Sequence, residues 1–243
     1  MDLNVEWLGR MRYREAWDVQ RARHAARDAD DITDTLLLVE HEPVLTLGRL
    51  AKDEHVITPR EELARRGIEV IRVERGGEVT YHGPGQLVAY PIVRLRELPV
   101  LLRPFVRALE LSMGDVAARY GIRAAPRPGY PGVWIEQDGP RPRKLGALGL
   151  RVERGISYHG IALNITTRLE DFELIDPCGM AGLEVTSVAR EQGWEGPAAE
   201  PSTSSVEQAA TWFAEDFRGR LATAVEESAQ QRTRAQAPAA AGV

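Results

Sequence analysis

The sequence predicts a single α+β domain, a mixed α/β arrangement in which one mixed sheet is flanked by helices. Three observations predict it. Two stretches, 102–120 and 206–225, carry apolar residues at three- and four-residue spacing, the period of a helix packed on one face. Between and before them lie apolar runs of strand length, closed off by Gly, Pro and Asp. Strands and helices do not alternate regularly, and the chain has neither a G-x-x-x-x-G-K-[ST] loop nor a G-x-G-x-x-G opening a helix, so a nucleotide fold of repeated βαβ units is not expected.

Each element has its own signature. Tyr13, Ala16, Trp17, Gln20 and His24 mark one face of a helix over 11–28, and Asp30 and Asp31 end it. Residues 35–40 read as a buried strand, and 43–48 resume extended structure. Thr58-Pro59-Arg60-Glu61 spells a capping box with proline in the first helical position, and Gly67 is the left-handed stop. Strands over 68–73 and 87–93 lead into and out of a glycine-rich stretch. The helix over 102–120 sets Phe105, Leu109, Met113, Val116 and Tyr120 on one face before Gly121. Strands over 132–136, 145–152 and 156–165, joined by turns at 137–140 and 153–155, form a hairpin or meander. Residues 193–205 read as a loop. Ser204 and Glu207 then make a second capping box for a helix whose face is Val206, Ala210, Phe213, Phe217, Leu221 and Val225. The domain is expected to occupy 1–227, with 228–243 a disordered tail because it has no large apolar side chain before Val243.

Composition narrows the class of function. Of 243 residues, 43% are hydrophobic and 28% charged, which is ordinary for a folded soluble protein. No apolar run approaches the ~20 residues of a membrane span, and 1–6 lack the basic and apolar regions of a signal peptide, so a cytoplasmic protein with no membrane partner is expected. The net charge of −5 argues against a nucleic-acid partner. With Cys178 the only cysteine, no internal disulfide can form. The 31 basic residues include only two lysines, Lys52 and Lys144. A lysine amine can surrender its proton where an arginine cannot, so Lys144 stands out as a group for proton chemistry.

Three clusters carry possible chemistry. The first, 75–86, holds Arg75, Gly76, Gly77, Glu78, Val79, Thr80, Tyr81, His82, Gly83 and Gly85. Glycines at this density let a ligand or another backbone approach closely. The alternative is a plain hairpin with a solvent-facing Arg75. The second cluster is Lys144-Leu145-Gly146-Ala147-Leu148-Gly149, followed by Ser157-Tyr158-His159-Gly160-Ile161-Ala162, which echoes the first. The third is Asp176-Pro177-Cys178-Gly179-Met180, where a defined turn presents the thiol. A cysteine thiol, with an ordinary pKa of about 8.5, becomes a nucleophile when a cation or base lowers it, and Lys144, His82 and His159 are the candidates. A zinc site of Cys178, His82 and His159 is disfavoured because no two of these ligands are locally paired.

Together the motifs Arg-Gly-Gly-Glu-Val-Thr-Tyr-His-Gly-Pro-Gly-Gln, Lys-Leu-Gly-Ala-Leu-Gly, Ser-Tyr-His-Gly-Ile-Ala-Leu-Asn and Asp-Pro-Cys-Gly-Met resemble, in order and spacing, the lipoyl(octanoyl) transferases of lipoate biosynthesis. The resemblance covers about residues 5–225. It implies a fold similar to the catalytic core of biotin and lipoate protein ligases. It also implies transfer of an octanoyl group from octanoyl-acyl carrier protein to Cys178, then to the lysine of an apo lipoyl domain, with Lys144 lowering the thiol pKa and moving the proton. Residues 75–82, Ala147, Leu148, Gly149, Gly160, Ile161 and Ala162 would line the acyl site. The acceptors would be lipoyl domains of 2-oxoacid dehydrogenase E2 subunits and the glycine cleavage H protein. No cofactor or metal is expected, and the enzyme is expected to be a monomer. Arg141, Arg143 and Arg151 are the expected basic rim for an acidic carrier. The competing readings are an ATP-using lipoate or biotin ligase, a cysteine hydrolase using His82 or His159, and a non-catalytic acyl-binding module.

Overall fold

A computed structural model describes residues 2–96, 98, 102–176, 184–194 and 203–236. The chain opens with β1 (Leu3–Met11) and α1 (Tyr13–Asp28), then β2 (Asp34–His41), β3 (Val44–Leu47), α2 (Arg60–Arg65), β4 (Glu69–Arg72), β5 (Val79–His82) and β6 (Gln86–Ile92). After α3 (Leu102–Arg119) come β7 (Ala125–Arg127), β8 (Tyr130–Ile135), β9 (Arg143–Glu153), β10 (Ile156–Asn164), β11 (Glu184–Val185), α4 (Val188–Glu191) and α5 (Thr203–Gln236). Among the described residues these strands make a large mixed sheet in the order β1-β2-β6-β10-β9-β8-β7, with β11 beside β9, and a small sheet in the order β4-β3-β5. The β1–β2, β3–β4 and β9–β11 pairs are parallel, and the others antiparallel.

Side-chain alternation divides the large sheet into two faces. Leu36, Leu38, Leu87, Ala89, Leu145, Ile161 and Leu163 point to one side, where α3 and α5 cover them with Phe105, Leu109, Met113, Val116, Phe213, Phe217 and Leu221. The Phe217 ring meets Phe105 edge-on at 6.0 Å and stacks on Phe213 at 5.9 Å. On the other side Leu37, Val39, Val88, Tyr90, Ile92 and Ala162 pack with Ala16 of α1. The small sheet has its own core of Leu45, Leu47, Leu63, Val79, Tyr81 and Leu174.

Several elements differ from the sequence expectation. The first strand, over 3–11, was not anticipated; its burial is mostly partial, so its alternation is blurred. Helix α2 starts at Arg60 with Pro59 as N-cap and no side-chain cap, in place of the expected capping box. The C-terminal helix begins at Thr203 and continues to Gln236, so 228–236 are helical where a disordered tail was expected, and Ser228 is buried with its hydroxyl donating to the Ala224 carbonyl. That segment lacks Pro and Gly and is rich in Ala, Gln and Arg, which sustain a helix without a continuous apolar face. The side chain of Ser204 and residues 237–243 lie outside the described residues. The turn at Arg154 and Gly155, with φ of 50° and 79°, is the tight hairpin the sequence called for. No helix among the described residues is long and apolar enough to cross a membrane.

Because α3 and α5 meet through Phe217, Phe217→Ala should destabilise the fold by about 3–5 kcal/mol in urea unfolding. Leu50→Ala, at a position 66% exposed, should change it by less than about 0.5 kcal/mol.

Candidate active site

A cavity of about 300 Å³ lies between the α1-side face of the large sheet and the loop leading into β5. Its wall exists because the sheet presents little there. Ala162, Gly160, Ala147 and Gly149 line it, with Val88 and Tyr90 beyond. A Cβ on Gly160 would sit 2.0 Å from the Ala89 carbonyl oxygen, and one on Gly149 would sit 2.8 Å from the Gly76 carbonyl oxygen. The bare backbone at 149 lets the glycine-rich loop lie directly on β9, where the Gly76 N–H donates to the Leu150 carbonyl at 3.0 Å.

Arg75 is 8% exposed and turns inward, against the solvent-facing alternative. Its guanidinium donates to the hydroxyl and carbonyl of Thr46 at 2.7–3.1 Å and to the Gly76 carbonyl at 3.0 Å, fixing the loop to β3. Of the predicted lining residues, Arg75, Gly77, Glu78, Val79, Thr80, His82, Ala147, Leu148, Gly149, Gly160, Ile161 and Ala162 border the cavity, although Val79 packs in the small-sheet core and Leu148 and Ile161 pack on the α3 side. Gly76 and Tyr81 do not. Gly76 is used up in the contact with Leu150, and Tyr81 falls on the opposite face of β5, against Phe172 at 5.5 Å.

Lys144 reaches the cavity through a β-bulge. Gly132 and Val133 pair with Ala147 and Gly146, but Trp134 and Ile135 pair with Lys144 and Arg143, so β9 carries one extra residue at Leu145. An unbulged strand would put Lys144 on the face opposite Ala147 and Gly149; the bulge turns it onto theirs and sends Leu145 into the α3 side. The Lys144 ammonium lies 5.2 Å from the centroid of the buried Trp134 ring.

Cys178 lies outside the described residues, but both flanks of its segment are placed. On one side Phe172 lines the cavity and the Asp176 N–H donates to the His55 carbonyl at 2.8 Å. On the other, Val185 lines the cavity, pairs with Lys144 across β11 and β9, and precedes Thr186, whose N–H donates to the Lys144 carbonyl at 3.0 Å. A chain of side-chain bonds leads to the same point. His82 Nδ1 donates to Gln86, Gln86 donates to Asn164 at 2.9 Å, and Asn164 donates to the Thr186 carbonyl at 3.0 Å.

The histidines around the inner end are neutral. Burial lowers His41 to about 4 and His159 to about 3, and holds His82 well below the ordinary value. Each has a structural tie: His41 Nε2 to the Tyr90 hydroxyl at 2.6 Å, His82 to Gln86, and His159 Nδ1 to the Tyr13 hydroxyl at 3.5 Å. Each arginine of the expected rim has a carboxylate within 4 Å. Arg141 pairs with Glu184 at 3.7 Å, Arg143 with Glu191 at 2.8 Å and Glu136 at 3.3 Å, and Arg151 with Glu153 at 3.9 Å. Lining residues that sequence reasoning did not select include Tyr13, Gln86, Tyr90, Tyr130 and Asn164. Gln86 and Asn164 sat inside the quoted motifs; Tyr13 and Tyr130 carry no local signal.

Comparison with known proteins gives the family and the fold. The family model of the lipoyl protein ligase A/B catalytic domain matches residues 12–217, which defines the class. A lipoate-protein ligase A solved with ATP bound shares the fold, with a TM-score of 0.63 and 14% identity over 93% of this chain and 94% of that one. An octanoyltransferase of Myxococcus xanthus is 45% identical over 82% of this chain and 56% of its own length, so the chain spans little more than half of that relative. An octanoyltransferase of Chloroflexus aurantiacus is 43% identical over 87% of this chain and 94% of its own length. Within the class, the chain belongs to the octanoyltransferase family of acyltransferases.

Three buried neutral histidines make stability pH-dependent. The unfolded chain binds their protons near pH 6.5 and the folded chain only at lower pH, so their contribution is complete above about pH 6.5 and declines as pH falls toward 4. Urea unfolding at steps from about pH 7.5 to 5 should show stability falling with an uptake of up to about three protons; a flat profile would contradict neutral burial.

Proposed function

We propose that the protein moves an octanoyl group from octanoyl-acyl carrier protein to the lysine of apo lipoyl domains through a thioester on Cys178. The observation that carries this reading is the convergence of Lys144 with Phe172 and Val185, which flank the Cys178 segment, on one cavity walled by small and apolar side chains. In the first half-reaction the Cys178 thiolate attacks the thioester carbonyl, the new C–S bond replaces the old one, and the carrier thiol leaves with a proton. In the second, the acceptor amine attacks the acyl-cysteine, an amide forms, and Cys178 departs as thiolate.

Lys144 serves both halves. As an ammonium it stabilises the thiolate by charge pairing, and as an amine it accepts the proton the attacking lysine loses. Arginine can do the first but not the second. Trp134, packed under the Lys144 side chain, limits where the nitrogen can sit. The acceptors under this reading are the lipoyl domains of 2-oxoacid dehydrogenase E2 subunits and the glycine cleavage H protein.

Intact mass after incubation with octanoyl-acyl carrier protein and no ATP tests the proposal. An octanoyl increment is expected on the wild type, absent from Cys178→Ser, and discharged by apo lipoyl domain. Transfer that appears only with ATP and free octanoate would overturn it in favour of a ligase. Lys144→Arg should lose acyl-enzyme formation at neutral pH; normal formation would remove Lys144 from the proton-transfer role.

A further inference from the structure

Lys144 shares its aromatic support with a second cation. Trp134 stands opposite Lys144 in the β8–β9 ladder and is fully buried, and the Lys144 nitrogen lies 5.2 Å from its ring centroid. From β7, the Arg127 guanidinium lies 5.5 Å from the same centroid and 4.6 Å from that of Tyr130. The Trp134 Nε1–H donates to the Tyr130 carbonyl at 3.1 Å, and the Tyr130 ring meets Trp134 edge-on at 6.0 Å, which fixes the indole that both cations use. The cations stand no farther apart than their two distances to that ring together, close to the ~10 Å over which salt screens surface charges.

The groups around Lys144 pull its proton both ways. The indole face favours the ammonium, and so does Glu110 of α3. That carboxyl accepts from the Gly132 N–H at 3.0 Å; burial raises its pKa, and the Gly132 N–H, Arg107 and Lys144 hold it down. The other charges near Lys144 are taken up in pairs: Arg143 has Glu191 at 2.8 Å and Glu136 at 3.3 Å, and Glu184 of β11 has Arg190 at 3.5 Å and Arg141 at 3.7 Å. Arg127 differs from these. Its contacts are the two aromatic rings, no carboxylate among the described residues pairs with it, and it lines an open groove with Arg107, Glu110 and Asp138. A guanidinium in that setting keeps its field, and keeps it at every accessible pH.

We propose that Arg127 is a positioning residue for the proton on Lys144: its fixed charge beside the Trp134 ring loosens that proton, so the lysine that serves as ammonium in the first half-reaction can serve as amine in the second. This deepens the acyl-transfer reading and rests on it for the use of the proton, whereas the effect on Lys144 is a property of the folded chain alone. The indole and Glu110 supply what a thiolate needs, and Arg127 offsets part of it. Removing Arg127 takes away a repulsion and tightens the proton; removing the charge of Glu110 does the opposite.

The chain has only two lysines, so lysine enriched with carbon-13 at Cε gives two resonances, Lys144 and Lys52, whose 70% exposed side chain serves as the internal reference. In a Cys178→Ser background, where no thiolate contributes, Arg127→Gln is expected to raise the Lys144 titration midpoint by about 0.3–1 unit at low salt. That is the range two charges ~10 Å apart give between effective dielectric constants of about 80 and about 20. Added salt should shrink the shift. Arg127→Lys should stay near the parent, Glu110→Gln should lower the midpoint, and Lys52 should move in none of them. An unmoved Lys144 midpoint in Arg127→Gln overturns the proposal, and so does an equal rise in Arg127→Lys, which would assign the effect to packing. Discharge of octanoyl-Cys178 by apo lipoyl domain then reads the catalytic use. The rate of Arg127→Gln divided by that of the wild type cancels the titration of the acceptor lysine. This ratio should lie about two- to tenfold below one near neutral pH and climb toward one as pH rises. A ratio that is flat across pH overturns the part of Arg127 in the second half-reaction. A wild type that forms no acyl-enzyme overturns the transferase reading and with it that catalytic use, while the lysine titration decides the effect on Lys144 by itself.

Discussion

What joins the glycine-rich loop to the large sheet is the docking of the Gly76 N–H on the Leu150 carbonyl over a strand that has no side chain at 149. On its other side the loop is fastened by the N–H groups of Gly48, Arg49 and Leu50, which donate to the carbonyls of Glu78, Arg75 and Gly77 at 3.0–3.1 Å. Arg75 reaches back to Thr46, and Gly77 to Thr80 form the roof. The charge of Arg75 is satisfied by three oxygens at hydrogen-bond distance and so serves to hold the loop, a use consistent with the cost of burying an unpaired guanidinium.

A second constraint governs the chemistry. The bulge at Leu145 decides which face Lys144 occupies, and with it whether an amine stands beside the segment bearing Cys178. The surrounding histidines are kept neutral by burial, so the positive charge of the site is concentrated in Lys144 and Arg75. The bonds from His82 through Gln86 and Asn164 to Thr186 tie the floor of the cavity to the strand that follows Cys178.

Most of the fold was legible because its periodicities are local. The faces of α1, α3 and α5 and the hairpin turn at Arg154 and Gly155 are written in nearest-neighbour spacing. The glycines of the 75–85 and 144–160 motifs pointed to close approach, and Gly149 and Gly160 prove to be places where a Cβ would collide with backbone. What stayed hidden is what register and tertiary packing decide. A one-residue bulge leaves no compositional mark, so the facing of Lys144 could not be read. Tyr81 and His82 are neighbours in one motif, yet strand alternation sends one into the small-sheet core and the other to the cavity. Arg141, Arg143 and Arg151 form a basic run in sequence, and the carboxylates beside them in space, among them Glu184 and Glu191 from across the fold, leave no mark on that run.

Amide hydrogen exchange at Gly76, read in the wild type and in Gly149→Ala, tests the central dependence most directly. The account predicts that the Gly76 amide is protected in the wild type and exchanges at loop rates in the variant, while the amides of β6 and β10 stay protected and acyl-enzyme formation falls with the loop contact. A Gly149→Ala protein that keeps both Gly76 protection and acyl-enzyme formation would contradict it.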